Sequence, residues 1–420
     1  MDKERLRRII LDGQEKIGKI DYIRRDLQVD FSALRTLNKI IAINGPRRAG
    51  KTFYIFQLID DLGLKPEQVV LVDFSEIVLA DFRAEDFVGL YSAYAELFPE
   101  EEEPWFFFDE VQEVPSYESG LVYLLNRNCH TIITGSTAKV FSEELSSALR
   151  GKTLNYTIFP LSFAEFLRFK GFEQKETYST RLQAELNSLL KEYITWGGFP
   201  EVVKVDNVET KKNIISTYID VMLFRDIIER FNVKNIHLVE LLFYKLLKSF
   251  TKEISVHKWY NDLKSMGIKV SKDSIYQYLS YFERSMFAVY ILNYYGGPTS
   301  LRKVYFIDNG LYNLINIGGA DYGKLLENQV FRDLFNIAPS LRFVKTRKWE
   351  VDFITNSSAY QVCFMISKEN IKRETAGLKE LIDKKVIKEG SIIVLEDSED
   401  ILEHVDIPII SYQKFYPALP

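Results

Sequence analysis

The segment that most constrains the fold is residues 45–52, whose sequence GPRRAGKT matches the phosphate-binding loop pattern GxxxxGK[ST]. An apolar run at 40–43 leads into it, and apolar residues at helical spacing follow at 53–59. The pattern requires this order of strand, loop and helix. The main-chain N–H groups of such a loop and the positive end of the following helix together bind anions. A chance match in a glycine-containing turn is the alternative, and the flanking strand and helix count against it.

Every residue of this loop is a candidate contact for the phosphates of ATP or ADP. The eight residues are Gly45, Pro46, Arg47, Arg48, Ala49, Gly50, Lys51 and Thr52. In such loops the lysine reaches the β- and γ-phosphates, and the hydroxyl of the last residue ligates Mg²⁺. Lys51 and Thr52 are therefore predicted to hold the nucleotide and its metal ion, and Lys51 also to take part in catalysis.

A second motif consists of two acids that directly follow an apolar run, in the sequence WFFFDE at residues 105–110. A strand buried on both faces of a parallel sheet has this composition, and ligands bind beyond the carboxyl ends of such strands. Asp109 is predicted to hold Mg²⁺ through its water shell, and Glu110 to act as general base toward the attacking water. Either acid could instead simply end a strand, but the upstream loop favours the catalytic interpretation.

A third apolar run, at residues 130–137, ends in small polar residues. Ser136 is the candidate for a polar group between the acids and the γ-phosphate, with Thr134 as the reserve and a helix cap as the structural alternative. Further along the chain, Arg150 is a candidate arginine finger. Such a residue stabilises transition-state charge, here at the nucleotide of a neighbouring subunit.

Composition argues against several other classes of protein. No apolar stretch reaches the ~18 to 20 residues that a membrane span needs, and the first residues lack the apolar segment of a signal peptide. The chain has two cysteines, Cys129 and Cys363, and four scattered histidines, which argues against a zinc site. At 420 residues it is long enough for two to four domains of roughly 150 residues each. We therefore expect a multidomain cytoplasmic protein that does not contact membranes.

Six motifs occur in an order that resembles one known family. They are GPRRAGKT at 45–52, FFFDEVQ at 106–112, TGS at 134–136, LRGKT at 149–153, PLSFAEFL at 160–167 and WGGFPEVV at 196–203. In this series the chain resembles the archaeal and bacterial AAA-type ATPases whose C-terminal half is a conserved domain of unknown function. The resemblance extends from about residue 36 to residue 365, nearly the whole chain.

The resemblance implies an α/β fold. Its parts are an ASCE-type P-loop core with a parallel sheet, a winged-helix segment, and a C-terminal module similar to restriction endonucleases. It also implies that Asp109 and Glu110 are the Walker B acids and that Ser136 is the sensor residue. Family members commonly carry arginine after the glycine of LRG, where this chain has Lys152. Lysine lacks the planar fork of arginine, so Arg150 is left as the candidate finger in this motif.

These considerations divide the chain into five predicted segments. They are an N-terminal helical segment at 1–38, the AAA-type core at 39–170, a helical lid or connector at 171–230, a winged-helix-like domain at 231–307 and a restriction-endonuclease-like domain at 308–420. Within the connector, Tyr218, Arg225 and Asp226 match a family motif, for which an internal salt bridge is the simplest interpretation.

The winged-helix-like domain is the candidate DNA-binding surface. Residues 226–303 contain 12 lysines and arginines against 7 aspartates and glutamates, a local charge of +5 in a chain of net charge −5. A basic region of this kind is compatible with nucleic acid, and equally with solvated helix faces. If the third helix enters the major groove, Lys272, Ser274 and Gln277 would be exposed to the bases. The aromatic residues of this helix favour the alternative, a protein-docking module.

The last domain resembles metal-dependent nucleases in its order of helix and strands. Glu327 on a helix and Asp352 on a strand match the acids of that arrangement, but Gln361 and Cys363 replace its acid-x-Lys pair. In such enzymes carboxylates hold the metal ion and the lysine helps to activate water, so a ligand and the lysine are both missing. Two lysines could substitute from elsewhere, Lys345 and Lys368. We expect a nuclease-like fold kept for structure or binding, without cleavage activity.

Together these motifs predict a Mg²⁺-dependent ATPase that acts as a motor or switch. Two kinds of partner remain open. One is DNA, bound through the C-terminal domains. The other is a protein partner or a second copy of the chain in a homo-oligomer, with the nucleotide gating the interaction and no nucleic acid involved.

Overall fold

The computed structural model describes most of the chain. The described residues are 1–136, 149, 151–175, 177–297, 300–314, 319–396 and 406–416. The chain forms two compact units, the first comprising residues 1–161 with 284–286 and the second residues 162–283 with 287–420. The predicted N-terminal segment therefore shares a unit with the core, and the segments predicted after residue 170 share the other unit.

The first unit is built on a five-stranded parallel sheet. Its strands are β1 (Ile40–Asn44), β2 (Val69–Asp73), β3 (Trp105–Asp109), β4 (His130–Gly135) and β5 (Thr153–Thr157). Their order is β2-β3-β4-β1-β5, and every neighbouring pair is parallel. All residues of β1 and β3 are buried, as expected of strands covered on both faces. The predicted α/β P-loop fold is thereby confirmed, and β4 lies between the loop strand β1 and the acid-bearing strand β3.

The helices of the first unit cover this sheet. They are α1 (Lys3–Gln14), α2 (Ser32–Leu37), α3 (Lys51–Asp61), α4 (Asp86–Leu97) and α5 (Tyr117–Leu125). α1 packs on α4 and β2, where Leu6 and Ile10 join the hydrophobic core that contains Val70 and Phe108. The N-terminal residues are thus part of the core of this unit.

The N-terminal segment is less helical than predicted. α1 and α2 are its helices, whereas residues 20–30 have no regular secondary structure. Gln57 on α3 explains the difference, because its side chain accepts the backbone N–H of Arg25 (2.7 Å) and donates to the carbonyl of the same residue (3.0 Å). Backbone groups that a helix would have paired internally are paired with α3 instead, so the prediction of helix was wrong over residues 20–30.

The second unit begins with four helices. They are α6 (Phe163–Phe169), α7 (Thr180–Trp196), α8 (Pro200–Val203) and α9 (Val208–Leu223), and α9 continues into a π-helical turn at Phe224–Glu229. Within that turn Asp226 is buried and Arg225 is exposed. The internal salt bridge expected of these residues stays a prediction.

The turn between α7 and α8 contains a close backbone approach that requires glycine. Gly197 has φ of 77°, in the left-handed region, and a Cβ added to it would overlap the carboxylate of Asp308. That buried carboxylate accepts the backbone N–H groups of Gly198 (2.7 Å) and Gly310 (2.9 Å). The WGGFP sequence therefore reflects a backbone packed against a buried acid, which only glycine permits.

The described residues between 236 and 306 form helices and a small antiparallel sheet. The helices are α10 (Ile236–Leu247), α11 (Val256–Ser265) and α12 (Lys272–Arg284), and the strands are β6 (Glu253–Ile254), β7 (Ala288–Leu292) and β8 (Arg302–Phe306). The sheet order is β6-β8-β7. Phe243 and Phe287 pack in its core with ring centroids 4.6 Å apart. β6 was not predicted, because two residues are too few to show the alternation that marks a strand.

The remaining residues form a mixed sheet with helices packed on it. The strands are β9 (Arg342–Lys345), β10 (Glu350–Ile354), β11 (Ser358–Cys363), β12 (Glu389–Val394) and β13 (Ile409–Ser411), and the helices are α13 (Gly310–Asn313), α14 (Tyr322–Ile337), α15 (Ile371–Asp383) and α16 (Tyr412–Phe415). The order is β13-β12-β11-β10-β9, antiparallel from β9 to β11 and parallel from β11 to β13. α14 packs on β8 and β11, and α15 packs on β10, β11 and β12. Over the whole described part of the chain, no helix has the length and apolar character needed to cross a membrane.

Candidate active site

The loop between β1 and α3 has the backbone conformation that a phosphate loop needs. Gly50, directly before α3, has φ of 96°, and Arg48 has φ of 66°. Left-handed residues of this kind turn successive backbone N–H groups toward one side and form an anion-binding concavity. At the other end, Gly45 lies so close to Ile158 that an added Cβ would overlap the carbonyl oxygen of that residue. The glycines at both ends of the loop are therefore required by its own geometry.

Lys51 is the first residue of α3 and only 4% of its surface is exposed. Its Nζ donates to the carbonyl oxygens of Gly45 and Pro46, at 3.2 Å each. The same atom lies 3.3 Å from Glu110 Oε1. The ammonium is thus held between the loop and the acid that follows β3, where it can donate charge-assisted hydrogen bonds to phosphate oxygens.

Asp109, the last residue of β3, is buried and accepts hydrogen bonds from two hydroxyls. Thr52 Oγ1 donates at 2.5 Å, and Thr134 Oγ1 donates to the other carboxylate oxygen. Burial and then the charge of Glu110 raise the pKa of Asp109 to about 6, against the opposite effect of the two hydroxyls. The structure therefore brings the two predicted Mg²⁺ ligands, Thr52 and Asp109, into direct contact.

Glu110 follows β3 in a left-handed conformation, with φ of 49°. This is uncommon for a residue other than glycine and costs roughly 1–3 kcal/mol. The carboxylate accepts a hydrogen bond from Gln112 Nε2. Burial by itself would raise the pKa of Glu110, but the charge of Lys51 and the amide of Gln112 outweigh it and lower the pKa. The side chain is therefore an ionised carboxylate, the form in which a general base accepts a proton.

Thr134 lies on β4 and Ser136 directly follows that strand, close to the two acids. Thr134, the reserve candidate, touches both acids, because it donates to Asp109 and accepts the backbone N–H of Glu110 (3.0 Å). Ser136, the first choice, is buried and its hydroxyl lies 3.4 Å from Gln112 Nε2. Among the described residues, Gln112 links this hydroxyl to Glu110. Residues two apart in an extended segment point to the same face. The sequence alone therefore could not show which of the two hydroxyls contacts Asp109.

Two supporting residues were missed in the sequence. Gln112 belongs to the motif FFFDEVQ but had no predicted role, although its amide holds the Glu110 carboxylate. Arg25 is buried, and its guanidinium donates to the carbonyl oxygens of Ala49 and Phe159, at 2.6 Å each. The place of Gln112 within a motif was an available signal. Arg25 carries no local signal, since its partners lie far away in the sequence.

Three further arginines belong to the predicted site. Arg47 Nη2 lies 3.9 Å from Glu113 Oε1. Arg48 is an exposed residue of the loop itself. Arg150 lies outside the described residues, so its role as an arginine finger stays a prediction.

The residues present fit a triphosphate with Mg²⁺. Thr52 and Asp109 offer the hydroxyl and carboxylate oxygens that this hard cation prefers. The loop backbone and Lys51 offer N–H donors and positive charge for phosphate oxygens. Gln112 Oε1 is buried without a hydrogen-bond partner among the described residues, which leaves one acceptor beside Glu110 for a water molecule.

The candidate DNA contacts lie at the start of α12. Lys272 is exposed, and its Nζ lies 5.6 Å from the ring centroid of Tyr260. Ser274 is hydrogen-bonded within the first turn of the helix. Gln277 Nε2 donates to Tyr281 Oη at 2.7 Å. Two of the three predicted side chains thus already have hydrogen-bond partners in the helix or directly before it.

Three acids of the segment that was predicted to be nuclease-like surround Lys303, a lysine with no predicted role. They are Glu327, Glu350 and Asp352. Of the two predicted substitutes, Lys345 lies 3.1 Å from Glu350 and 2.8 Å from Glu253, and Lys368 is exposed. Among the described residues, no group of three or more His, Cys, Asp or Glu is arranged to hold a metal ion.

Two family models match the chain. One, described as "AAA domain", matches residues 37–167, and the other, a domain of unknown function named DUF8612, matches residues 187–321. A relative from Methanocaldococcus jannaschii, Uncharacterized protein MJ1544, is 32% identical over 409 residues, which covers 95% of this chain and 90% of the relative. An uncharacterized protein from Haemophilus influenzae is 31% identical over 392 residues, which covers 89% of this chain and 93% of that protein.

Solved structures match at much lower identity. The ORC1 protein of Aeropyrum pernix in complex with DNA is 14% identical, with a TM-score of 0.31, over 73% of this chain and 94% of that chain. Cdc6p from Pyrobaculum aerophilum is 12% identical, with a TM-score of 0.28, over 71% of this chain and 90% of that chain.

Proposed function

We propose that this chain, which belongs to the family of AAA-domain proteins that includes the Methanocaldococcus jannaschii and Haemophilus influenzae relatives, is a Mg²⁺-dependent ATPase. One observation carries the proposal: Lys51 Nζ of the phosphate loop lies 3.3 Å from Glu110 Oε1 after β3. A cation suited to phosphate and a carboxylate suited to water activation are therefore neighbours, although 58 residues separate them. A fortuitous glycine turn and an unrelated strand end would have no reason to meet.

Each group then has a distinct role in hydrolysis of ATP to ADP and phosphate. The loop backbone and Lys51 bind the phosphates, and Thr52 and Asp109 would hold Mg²⁺. When bound, Mg²⁺ neutralises charge on the phosphate oxygens and helps to orient them. Glu110, ionised beside Lys51, accepts a proton from the attacking water.

Other residues position these groups or complete the site. Thr134 holds both acids, and Gln112 links Glu110 to Ser136, so a sensor role of Ser136 would act through Gln112. Arg150 remains the proposed arginine finger, acting on the nucleotide of a neighbouring chain in a homo-oligomer. We place the activity in the cytoplasm, with which the free thiols Cys129 and Cys363 are compatible.

Phosphate release from ATP is expected to require Mg²⁺, because Thr52 and Asp109 supply oxygen ligands and no cation of their own. Excess EDTA should abolish release by the full chain, and added Mg²⁺ should restore it. Binding should also stabilise the chain: at 100-fold excess over Kd, ATP with Mg²⁺ adds about 2.7 kcal/mol, a rise of roughly 5–10 °C in Tm. Release that is insensitive to EDTA, or a Tm that ATP does not change, would contradict the proposal.

The finer proposal is that the ATP cycle acts on duplex DNA through the second unit. The exposed surface around α12 combines basic and aromatic side chains, as nucleic-acid surfaces often do. Lys264 and Lys272 lie 6.0 and 5.6 Å from the ring of Tyr260, and Arg302 lies 5.7 Å from the ring of Tyr276. This cluster of cations on aromatic rings supports DNA over a purely structural role for the basic region.

A protein partner is the second candidate, and two observations favour it. Ser274 is hydrogen-bonded to Ser271, just before the helix, and Gln277 to Tyr281 within it, so both side chains are already engaged. In the same unit, Tyr244 and Met266 expose 57% and 62% of their surface. Apolar groups of this size at a surface are typical of protein interfaces.

DNA affinity at two salt concentrations separates these candidates. If phosphate contacts dominate, the affinity of the full chain for a short duplex should fall steeply between low and physiological salt, because counterions are released on binding. Lys272→Ala should weaken binding and reduce the slope of log K against log salt by about 0.9. Lys204→Ala, at an exposed lysine that follows α8, is the matched control and should change neither quantity. Absent or salt-independent binding would favour the protein partner.

A further inference from the structure

Arg25 is a buried arginine that joins two parts of the first unit at the phosphate loop. Only 7% of its surface is exposed. Its Nη1 donates to the carbonyl oxygen of Ala49 in the loop, and its Nη2 donates to the carbonyl oxygen of Phe159, at 2.6 Å each. Hydrogen bonds from a charged donor are stronger than those between neutral groups. The guanidinium makes both at once because its donors have fixed positions in a planar fork.

The two carbonyl groups that Arg25 binds are linked to opposite ends of the phosphate loop. Ala49 lies near the end of the loop, shortly before α3. Phe159 directly follows Ile158, and Gly45, the first residue of the loop, packs against the carbonyl oxygen of Ile158. Arg25 therefore ties the end of the loop to the segment that supports its start.

The segment that carries Arg25 is itself anchored to α3, the helix that follows the loop. The side chain of Gln57 accepts the backbone N–H of Arg25 (2.7 Å) and donates to its carbonyl oxygen (3.0 Å). Two residues further on, the carbonyl oxygen of Leu27 accepts the hydroxyl of Tyr54 (2.6 Å). Gln57 and Tyr54 are both buried residues of α3. The guanidinium thus has a fixed position relative to this helix and can support the loop from outside.

The hydrogen bond to Ala49 determines the direction of the next backbone N–H. The peptide bond between Ala49 and Gly50 is trans, so the carbonyl of Ala49 and the N–H of Gly50 point in opposite directions. Because Arg25 holds the carbonyl, it also fixes the N–H. The loop needs such support, since Arg48 has φ of 66°, in a region that is unfavourable for a residue with a Cβ.

We infer that Arg25 is a positioning residue of the nucleotide site: by holding the Ala49 carbonyl, it directs the Gly50 N–H toward the phosphates of ATP. This inference rests on the proposed function, because it concerns the affinity of the same loop for nucleotide. Arg25 acts through the loop backbone. A backbone N–H that binds phosphate does so both before and during hydrolysis, so its loss should weaken ATP binding more than it slows the reaction of bound ATP.

The test replaces Arg25 with methionine, which keeps an unbranched side chain and removes the donors. Arg25→Met should raise the Kd of the full chain for ATP with Mg²⁺ by roughly 5- to 50-fold, because the Gly50 N–H loses its fixed direction. Turnover at saturating ATP should stay within about threefold of wild type. Titration with a fluorescent ATP analogue and phosphate release measure the two quantities. A purely structural role would give the opposite result, since partial unfolding lowers turnover per chain and leaves the Kd of the folded chains unchanged.

The matched control is Arg24→Met, at the preceding residue of the same segment. Arg24 has 57% of its side chain exposed and pairs with Asp61 on α3 at 2.5 Å. Exposed ion pairs contribute little, so the Kd for ATP should stay within about twofold of wild type.

A second variant, Arg25→Lys, keeps the test decisive if Arg25→Met does not fold. Lysine retains the positive charge and a long stem but lacks the planar fork, so its Kd should lie between those of wild type and Arg25→Met, at least about threefold above wild type. The inference alone is overturned if the wild-type chain binds ATP and a folded Arg25 variant binds it equally well, or loses only turnover. A wild-type chain that does not bind ATP would overturn the proposed function, and this inference with it.

Discussion

Glu110→Gln is expected to slow ATP hydrolysis by roughly 10²- to 10⁴-fold while ATP affinity stays within about threefold of the wild-type value. The amide keeps the size of the side chain but cannot accept the proton of the attacking water. The contacts proposed for the phosphates belong to the loop and to Lys51, and these remain. Phosphate release at saturating ATP measures the first quantity, and titration with a fluorescent ATP analogue measures the second.

The matched control for this change is Glu113→Gln. Glu113 lies three residues further along the chain, and 38% of its side chain is exposed near Arg47. Exposed ion pairs contribute little, so turnover of this variant should stay within about twofold of wild type. If Glu110→Gln keeps more than a tenth of the wild-type turnover, Glu110 is not the general base.

The parts of this site that could be predicted are those whose signal is local. The strand, glycine loop and helix around Lys51 follow one another along the chain, so the pattern of residue types reveals them. Asp109 and Glu110 were located because a wholly apolar strand stops at two acids, and parallel strands present their carboxyl ends at one edge of the sheet. The order of the strands then brings the two motifs together at that edge. No additional sequence signal is required to predict that they meet.

The contacts that could not be predicted are made between residues distant in sequence. The roles of Thr134 and Ser136 depend on which hydroxyl lies opposite Asp109, and this follows from the stagger of β4 against β3. Arg25 fixes the phosphate loop from a segment without regular structure, where no periodicity identifies a buried residue. Residues 20–30 were predicted as helix for the same reason, since pairing with Gln57 is a tertiary contact.

The position of Lys303 within an apolar strand was a signal in the sequence that the predictions above did not use. It stands in the strand RKVYF at 302–306, where the positions that follow it are buried. A lysine at a buried strand position must be paired, so its partners could have been sought among the acids of the nuclease-like motif. The structure shows that Lys303 contacts Glu327 and Asp352, the two acids that match the pattern. The pattern itself does not include this lysine, because Lys303 lies on a strand that precedes both acids in the sequence.

Lys51→Ala is expected to lower ATP affinity by roughly 10- to 100-fold and to abolish turnover. Hydrogen bonds to charged groups contribute about 1.5–3 kcal/mol each, and about 1.4 kcal/mol corresponds to a factor of ten in affinity. Turnover falls further because charge develops on the phosphate oxygens in the transition state. Lys65→Ala, at an exposed lysine after α3, is the matched control and should leave both quantities unchanged.

Lys51 has a second effect, because it is also the main counter-charge of Glu110. In Lys51→Ala the burial of that carboxylate is opposed only by Gln112 and Arg47, so the pKa of Glu110 should rise and the chain should lose stability at neutral pH. Glu110→Gln in the same chain removes the unpaired charge. The double variant should therefore regain Tm relative to Lys51→Ala without regaining ATP affinity. Recovery of affinity in the double variant would mean that Lys51 acts only by holding Glu110, and that it does not bind the phosphates.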